Sequence, residues 1–265
     1  MAHYRIIDTA SWPRRDHFTF YRQFANPSFN LCVPIAAQRL YECAKDRRVS
    51  FFQLALYALL RAANGVPQLR QRVRNDEVIE YDSLAVMTPV MTVGEGFRQV
   101  WCDNAPEFTA FSAAATPKIV AARETSPAPL IVDGEHFICA SCLPWLHFTS
   151  MTHAEYAVGA AVPALTWGKL QNGVIPVAGR FNHAFVDGLH ASRFYALVEE
   201  GFNDPERLWL PLTETAPSLL PPPPPQRRSV NVCPELTARE PYSLHGGRYG
   251  ATIIVPFQPA NTAQV

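Results

Sequence analysis

The chain has 265 residues, 48% hydrophobic and 11% aromatic, which is enough apolar material for one sizeable core. Charged residues make up 17%, against a usual share of about 25%, and the formal net charge is zero, so no basic stripe points to nucleic acid. No run approaches the roughly 18 apolar residues of a membrane span, and Met1-Ala-His-Tyr-Arg-Ile-Ile-Asp lacks the apolar core of a signal peptide, which together predict a cytoplasmic protein.

The first predicted element is a helix over Trp12 to Arg22, with Pro13 in its first turn and Phe18 and Tyr21 on one face. A strand follows at Phe29 to Val33, then helices at Ala36 to Asp46 and Phe51 to Asn64. The second helix is nearly all apolar, broken by Gln53 and Arg61, and belongs deep in the core. Strands are expected at Val78 to Tyr81, Ala85 to Val93 and Phe97 to Cys102. A helix over Pro106 to Arg123 is interrupted by Pro117, a kink or split point. Strands return at His136 to Cys142 and Trp145 to Thr149. The turn Gln171-Asn172-Gly173 joins Val162 to Lys169 and Val174 to His183 into a hairpin. An amphipathic helix over Gly188 to Phe202 closes the region. This irregular alternation predicts a mixed-sheet, two-layer α/β sandwich.

Composition then changes. Twelve of the 24 prolines lie beyond Phe202, including Pro221 to Pro225, and such runs build no core. The boundary therefore falls near Leu210, giving a domain over 1–210 and a flexible proline-rich extension over 211–265. The extension contains one strand-like run, Ala251 to Phe257. The six cysteines, Cys32, Cys43, Cys102, Cys139, Cys142 and Cys233, sit in apolar surroundings and read as reduced thiols. Cys139 and Cys142 form a lone C-x-x-C inside a strand with no second ligand pair, so no metal site is expected.

Chemistry concentrates in Phe181-Asn182-His183-Ala184-Phe185-Val186-Asp187-Gly188. A histidine at the end of a strand is followed by an aspartate four residues later and then by a helix. An imidazole at the mouth of a sheet is suited to take a proton from an alcohol. The same octet also describes a core histidine beside an Asp N-cap, and both readings stand at this point.

The octet resembles the H-x-x-x-D-G signature of the chloramphenicol acetyltransferase family. Further blocks in register extend the resemblance from about Tyr4 to Leu210. Ser11-Trp12-Pro13-Arg14-Arg15-Asp16-His17-Phe18 is similar to that family's N-terminal block. Leu143-Pro144-Trp145-Leu146-His147-Phe148-Thr149-Ser150 and Thr166-Trp167-Gly168-Lys169 are similar to two of its later segments. Asn203-Asp204-Pro205-Glu206 and Trp209 resemble the ending of some members.

The resemblance implies the CoA-dependent acyltransferase fold, assembled as a homotrimer with active sites at subunit interfaces. It implies acetyl transfer from acetyl-CoA, a co-substrate rather than a bound cofactor, to a hydroxyl of chloramphenicol, giving drug resistance. By the same resemblance His183 is the general base and Ser150 holds the oxyanion. Asp187 pairs with Arg14 to fix the loop, Arg15 being the other candidate partner. Tyr21, Phe29 and Phe97 wall the acceptor pocket, and Thr166 is a polar residue near it. His183 of one subunit then faces Ser150, Tyr21 and Phe97 of its neighbour.

Three departures stand out. Asn182 takes the place of a common histidine, Ser50-Phe51-Phe52-Gln53 replaces a K-F-Y-P patch near the CoA site, and Leu170 replaces a tyrosine. The remaining histidines, including His147, His153 and His190, are expected at the surface or on a helix face. Two rival functions are carried forward. One is CoA-dependent acylation of another small aryl alcohol; the other is a non-catalytic binding protein of the same fold.

Overall fold

The computed structural model describes residues 2–131, 134–155 and 161–211. The Pro221 to Pro225 run, Cys233 and Ala251 to Phe257 lie outside the described residues, as does the extension over 212–265.

The chain runs β1 (Tyr4–Ile6), α1 (Arg15–Tyr21), β2 (Ser28–Ala36), α2 (Gln38–Asp46), α3 (Phe51–Asn64), β3 (Gln71–Arg74), β4 (Glu77–Tyr81) and β5 (Ala85–Met91). It continues with β6 (Phe97–Cys102), α4 (Phe108–Arg123), β7 (Phe137–Leu143), β8 (Ala164–Gly168), β9 (Val174–Asn182) and α5 (Gly188–Asn203). Six strands form a mixed sheet in the order β2-β9-β8-β7-β5-β6, and three form a small sheet, β1-β4-β3. The β5–β7 and β7–β8 pairs are parallel and the other pairs of the large sheet antiparallel.

Local sequence explains the best-defined elements. α3 starts where Ser50 Oγ accepts the Gln53 N–H at 3.3 Å, satisfying an orphan donor of the first turn. Its few polar residues, Gln53, Arg61 and Asn64, share one narrow stripe, and Leu54, Leu56, Leu59 and Leu60 are all fully buried. Truncating any one of them to Ala costs about 2–5 kcal/mol. The β8–β9 hairpin turns at Asn172 and Gly173, both at positive φ (52° and 78°), as a two-residue turn matched to strand twist requires.

The helices pack on one face of the large sheet. Ile35, Ile138, Ala140, Leu165, Val177 and Phe181 point into that core. Residues between them, including Cys139, Thr166 and Arg180, point to the opposite face, where Ala85, Met87, Phe137 and Val162 make a smaller cluster. Gly179 is required on the core side, because a Cβ there would lie 2.6 Å from the Phe181 ring and 2.9 Å from Tyr195 Oη.

Several expectations are corrected. Trp145 to Thr149 is not a strand: the chain turns at Pro144 and Trp145 and continues irregularly. Pro13 precedes α1 rather than standing in its first turn, and Ala36 closes β2 instead of opening α2. α4 runs unbroken through Pro117, which has no N–H to give Ala113 in the preceding turn. Two short strands, β1 and β3, were not expected.

Candidate active site

His183 stands immediately after β9. Its backbone N–H donates to Pro27 O at 2.8 Å, which holds it against the entry to β2. Its ring lies on Tyr21, with centroids 4.0 Å apart and planes 8° from parallel, and Phe29 closes another side at 4.9 Å. Phe29 is the cross-strand neighbour of Phe181, so the β2–β9 register delivers this wall. Nδ1 is buried with no hydrogen-bond partner of ordinary geometry. Burial lowers the imidazole pKa, opposed by the residue's own backbone and by Asp187. The ring is therefore neutral at physiological pH.

The loop after His183 is held by the N-terminal block. Phe185 packs on Phe18 at 5.5 Å and on Trp12 at 6.5 Å. Arg14 Nη1 donates to Asp187 Oδ2 at 2.6 Å, with 12% and 29% of the two side chains exposed. Arg14 Nε and Nη2 are buried without partners.

Asp187 also caps α5, its Oδ1 accepting the N–H groups of Leu189 and His190 at 3.0 and 3.3 Å. His190 Nδ1 lies 2.8 Å from Asp187 Oδ1 and 3.2 Å from the Asp187 N–H. It cannot donate to one and accept from the other at once; the shorter contact favours a proton on Nδ1. Burial alone raises the Asp187 carboxyl, but Arg14 and His190 reverse this and hold it below the ordinary value. His190 is thus a buried cap partner, 6% exposed, not a surface residue. The D-x-x-H spacing carried that signal, because N-cap and N3 side chains face each other.

The remaining expected residues lie elsewhere. Phe97 is 42% exposed at the start of β6. That strand is four steps from β9, which at about 4.8 Å per strand is roughly 19 Å. Ser150 is exposed in the irregular segment after β7. Thr166 is 1% exposed on the face away from the helices. The structure therefore gathers Arg14, Tyr21, Phe29, His183 and Asp187 within one chain, so Tyr21 meets the imidazole of its own subunit and not a neighbour's as expected; Phe97 stands four strands away, and Thr166 is bonded to His153 instead.

Thr166 is covered by His153, which is half-buried and not at the open surface. His153 Nε2 is 3.0 Å from Thr166 Oγ1, and Asn30 Oδ1 faces both the His153 N–H and Nδ1 at 3.3 Å. An oxygen that accepts the backbone N–H must also accept from Nδ1, so Nε2 accepts from Thr166. Burial and the Arg180 charge push the His153 pKa from 6.5 down to about 4. The unfolded chain then takes up this proton first. The stability is fully present above pH 6.5 and is lost as pH falls toward 4. The melting temperature should fall over that window, and His153→Gln should flatten the fall. An unchanged slope in that variant would remove His153 from the account.

A separate cavity of about 810 Å³ is lined by Tyr41, Phe51, Phe52, Trp145, Trp167, Arg123 and Lys169, among others. Trp167 pairs with Val177, six residues before His183. At ~3.3 Å per residue the cavity and the imidazole of one chain are about 20 Å apart. Phe20 and Phe24, 56% and 48% exposed, extend the Tyr21 ring into an aromatic surface that the sequence reading did not single out.

A family model described as chloramphenicol acetyltransferase matches residues 2–199. Chloramphenicol acetyltransferase 3 of Escherichia coli is 28% identical over 209 residues, covering 74% of this chain and 96% of that protein. Chloramphenicol acetyltransferase 2 of Escherichia coli is 29% identical over 204 residues, covering 71% and 92%. A solved chloramphenicol acetyltransferase superposes with a TM-score of 0.69 at 32% identity, covering 75% of this chain and 99% of that one. The truncated catalytic core of the 2-oxoacid dehydrogenase multienzyme complex from Thermoplasma acidophilum has a TM-score of 0.52 at 16% identity, covering 72% and 92%; that likeness concerns the fold alone.

Proposed function

The chain belongs to the chloramphenicol acetyltransferase family, whose members are acetyltransferase enzymes, and on that premise we propose that it transfers an acetyl group from acetyl-CoA to a hydroxyl of chloramphenicol. The reading is carried by the His183 ring: neutral, sealed at Nδ1, stacked on Tyr21, and not hydrogen-bonded to Asp187. Nε2 is then the nitrogen available to the acceptor. It takes the hydroxyl proton as the oxygen attacks the thioester carbonyl, and the Ser150 hydroxyl donates to the resulting oxyanion. Collapse expels the CoA thiolate, which recovers the proton from the imidazolium.

Asp187 is bound to Arg14 and His190, so its part is to hold the loop and not to relay the proton. The five described cysteines are poor nucleophiles, since burial raises each of them, Cys142 up to about 12 and Cys102 up to about 11. A purified chain incubated with acetyl-CoA should release thiol only when chloramphenicol is present. Release with other aryl alcohols but not chloramphenicol favours the first rival; no release with any acceptor favours the binding protein.

The cavity walled by Phe51, Phe52 and Trp167 suits the pantetheine arm, with Arg123 and Lys169 available to phosphate. Its distance from His183 of the same chain, and the separation of Phe97 from that ring, support a homotrimer whose sites are shared. Among the described residues, Phe97, Met91, Trp145 and Leu146 are exposed by 42–65%, apolar surface a neighbour would cover. Co-refolding His183→Ala with Ser150→Ala chains should restore activity that neither variant has alone. A fully active monomer by light scattering would exclude shared sites. A cytoplasmic location belongs to the same proposal and is supported by the five described cysteines all being free. No described helix is long and apolar enough to cross a membrane. The domain over 1–210 holds every residue assigned a role, so the extension over 211–265 is proposed to be dispensable for chemistry.

A further inference from the structure

The ladder between β2 and β9 ends at the Ser28–Asn182 pair. Beyond that pair, two asparagine side chains close the two diverging strands. Asn26 Oδ1 accepts the Ser28 N–H at 2.9 Å, and Asn182 Oδ1 accepts the Ala184 N–H at 2.9 Å. Each is an Asx turn, a side-chain carbonyl standing in for a backbone one. Between them the His183 N–H reaches across to Pro27 O.

The donors of the His183 loop can be followed one by one. His183 N–H goes to Pro27 O, Ala184 N–H to the Asn182 side chain, and Phe185 and Val186 N–H to Asn182 O at 3.1 and 2.9 Å. Three of these four donors thus end on Asn182. Ala184 is only 3% exposed, so its N–H has no ready water to replace a lost acceptor. Removing Oδ1 leaves that donor unsatisfied unless the Asn182–Ala184 segment turns. His183 is the residue in the middle of that segment, and its ring sits in a slot between Tyr21 and Phe29 that tolerates little rotation.

We propose that Asn182 is a positioning residue for His183, acting through the Asx turn it makes with Ala184. The inference rests on the reading of His183 as the base. Oδ1 is the atom required, so a short side chain with an acceptor oxygen preserves the turn and an aliphatic one does not. Serine is the discriminating replacement, because its hydroxyl makes the same turn more weakly.

The test uses the full-length chain with Asn182→Ala, Asn182→Ser and His183→Ala. Thiol release supplies kcat, KM and the pH profile. The His183 imidazole is titrated by NMR, its signal assigned by its loss in His183→Ala. Asn182→Ala is expected to lower kcat about 10- to 100-fold with KM for acetyl-CoA little changed. Its His183 titration should move up toward an ordinary histidine as the ring gains water. Asn182→Ser is expected to recover much of both. Full kcat in Asn182→Ala with an unmoved titration overturns the proposal. So does a loss shared equally by the Ser variant and matched by the melting temperature, which would make Asn182 a fold residue only. Full activity in His183→Ala would overturn the base reading instead, and the imidazole titration would still decide the role of Asn182.

Discussion

His183→Ala should lower kcat by about 10³- to 10⁴-fold while KM for either substrate changes only a few-fold. On the proposed mechanism the ring acts where the hydroxyl proton is in flight, and a group needed mainly in the transition state shows its loss in kcat. Two of the other imidazoles are already committed. His190 is committed to Asp187, and His153 is bonded on both ring nitrogens. Among the described residues a thiol cannot take over either, since burial raises the pKa of Cys32, Cys43, Cys102, Cys139 and Cys142. Removing the ring also leaves a gap against Tyr21 and Phe29, so the melting temperature must be measured beside kcat; His183→Gln fills the gap without supplying a comparable base. Near-normal turnover in either variant would end the general-base mechanism. The pH profile gives an independent check. Activity should rise as the ring deprotonates and reach its plateau at lower pH than an ordinary histidine allows, because burial lowers this pKa.

Asp187→Asn and Arg14→Ala should each cut kcat/KM by about 10- to 100-fold through misplacement of the loop, and the double variant should be little worse than the poorer single. Both groups meet in one 2.6 Å bond between the N-terminal block and the N-cap of α5. The two losses are not symmetric in stability. Arg14 already has two buried nitrogens unpartnered, so Asp187→Asn strands a nearly buried cation. Asp187 keeps two backbone donors and His190 when Arg14 is removed. A charge-assisted bond of this kind is worth about 1.5–3 kcal/mol, and Asp187→Asn should show the larger drop in melting temperature. Fully additive losses in a double-mutant cycle would mean that the two side chains act independently.

Elements whose neighbours in sequence decide them were legible. α3 has a serine cap and a nearly continuous apolar run, and its observed limits, Phe51–Asn64, are those read from the sequence. β6 likewise spans Phe97–Cys102 as expected, and Asn172-Gly173 marked its hairpin. β1 and β3 were missed because they are three and four residues long and take their form from pairing with β4. Trp145 to Thr149 reads as a strand by composition, yet β8 already takes the edge of β7 over Cys139 to Leu143, and the chain turns away at Pro144.

The sequence by itself marked the residues at the end of β9 as candidates for chemistry, and offered Asp187 as the cap of the helix after them. These are properties of adjacent residues: alternation along a strand, a cap at a helix start, an imidazole between the two. Only the tertiary structure decided what surrounds them. Arg14 is 173 positions from Asp187, and Thr166 lies under His153. His190 is buried, while Phe97 stands on the β6 edge strand, four strands from β9 and His183. Contacts of that separation depend on strand order and register, which the pattern of a single strand does not encode. Titration depends on them as well: His153 has the ordinary imidazole chemistry, and burial beside Arg180 makes it a neutral ring down to about pH 4.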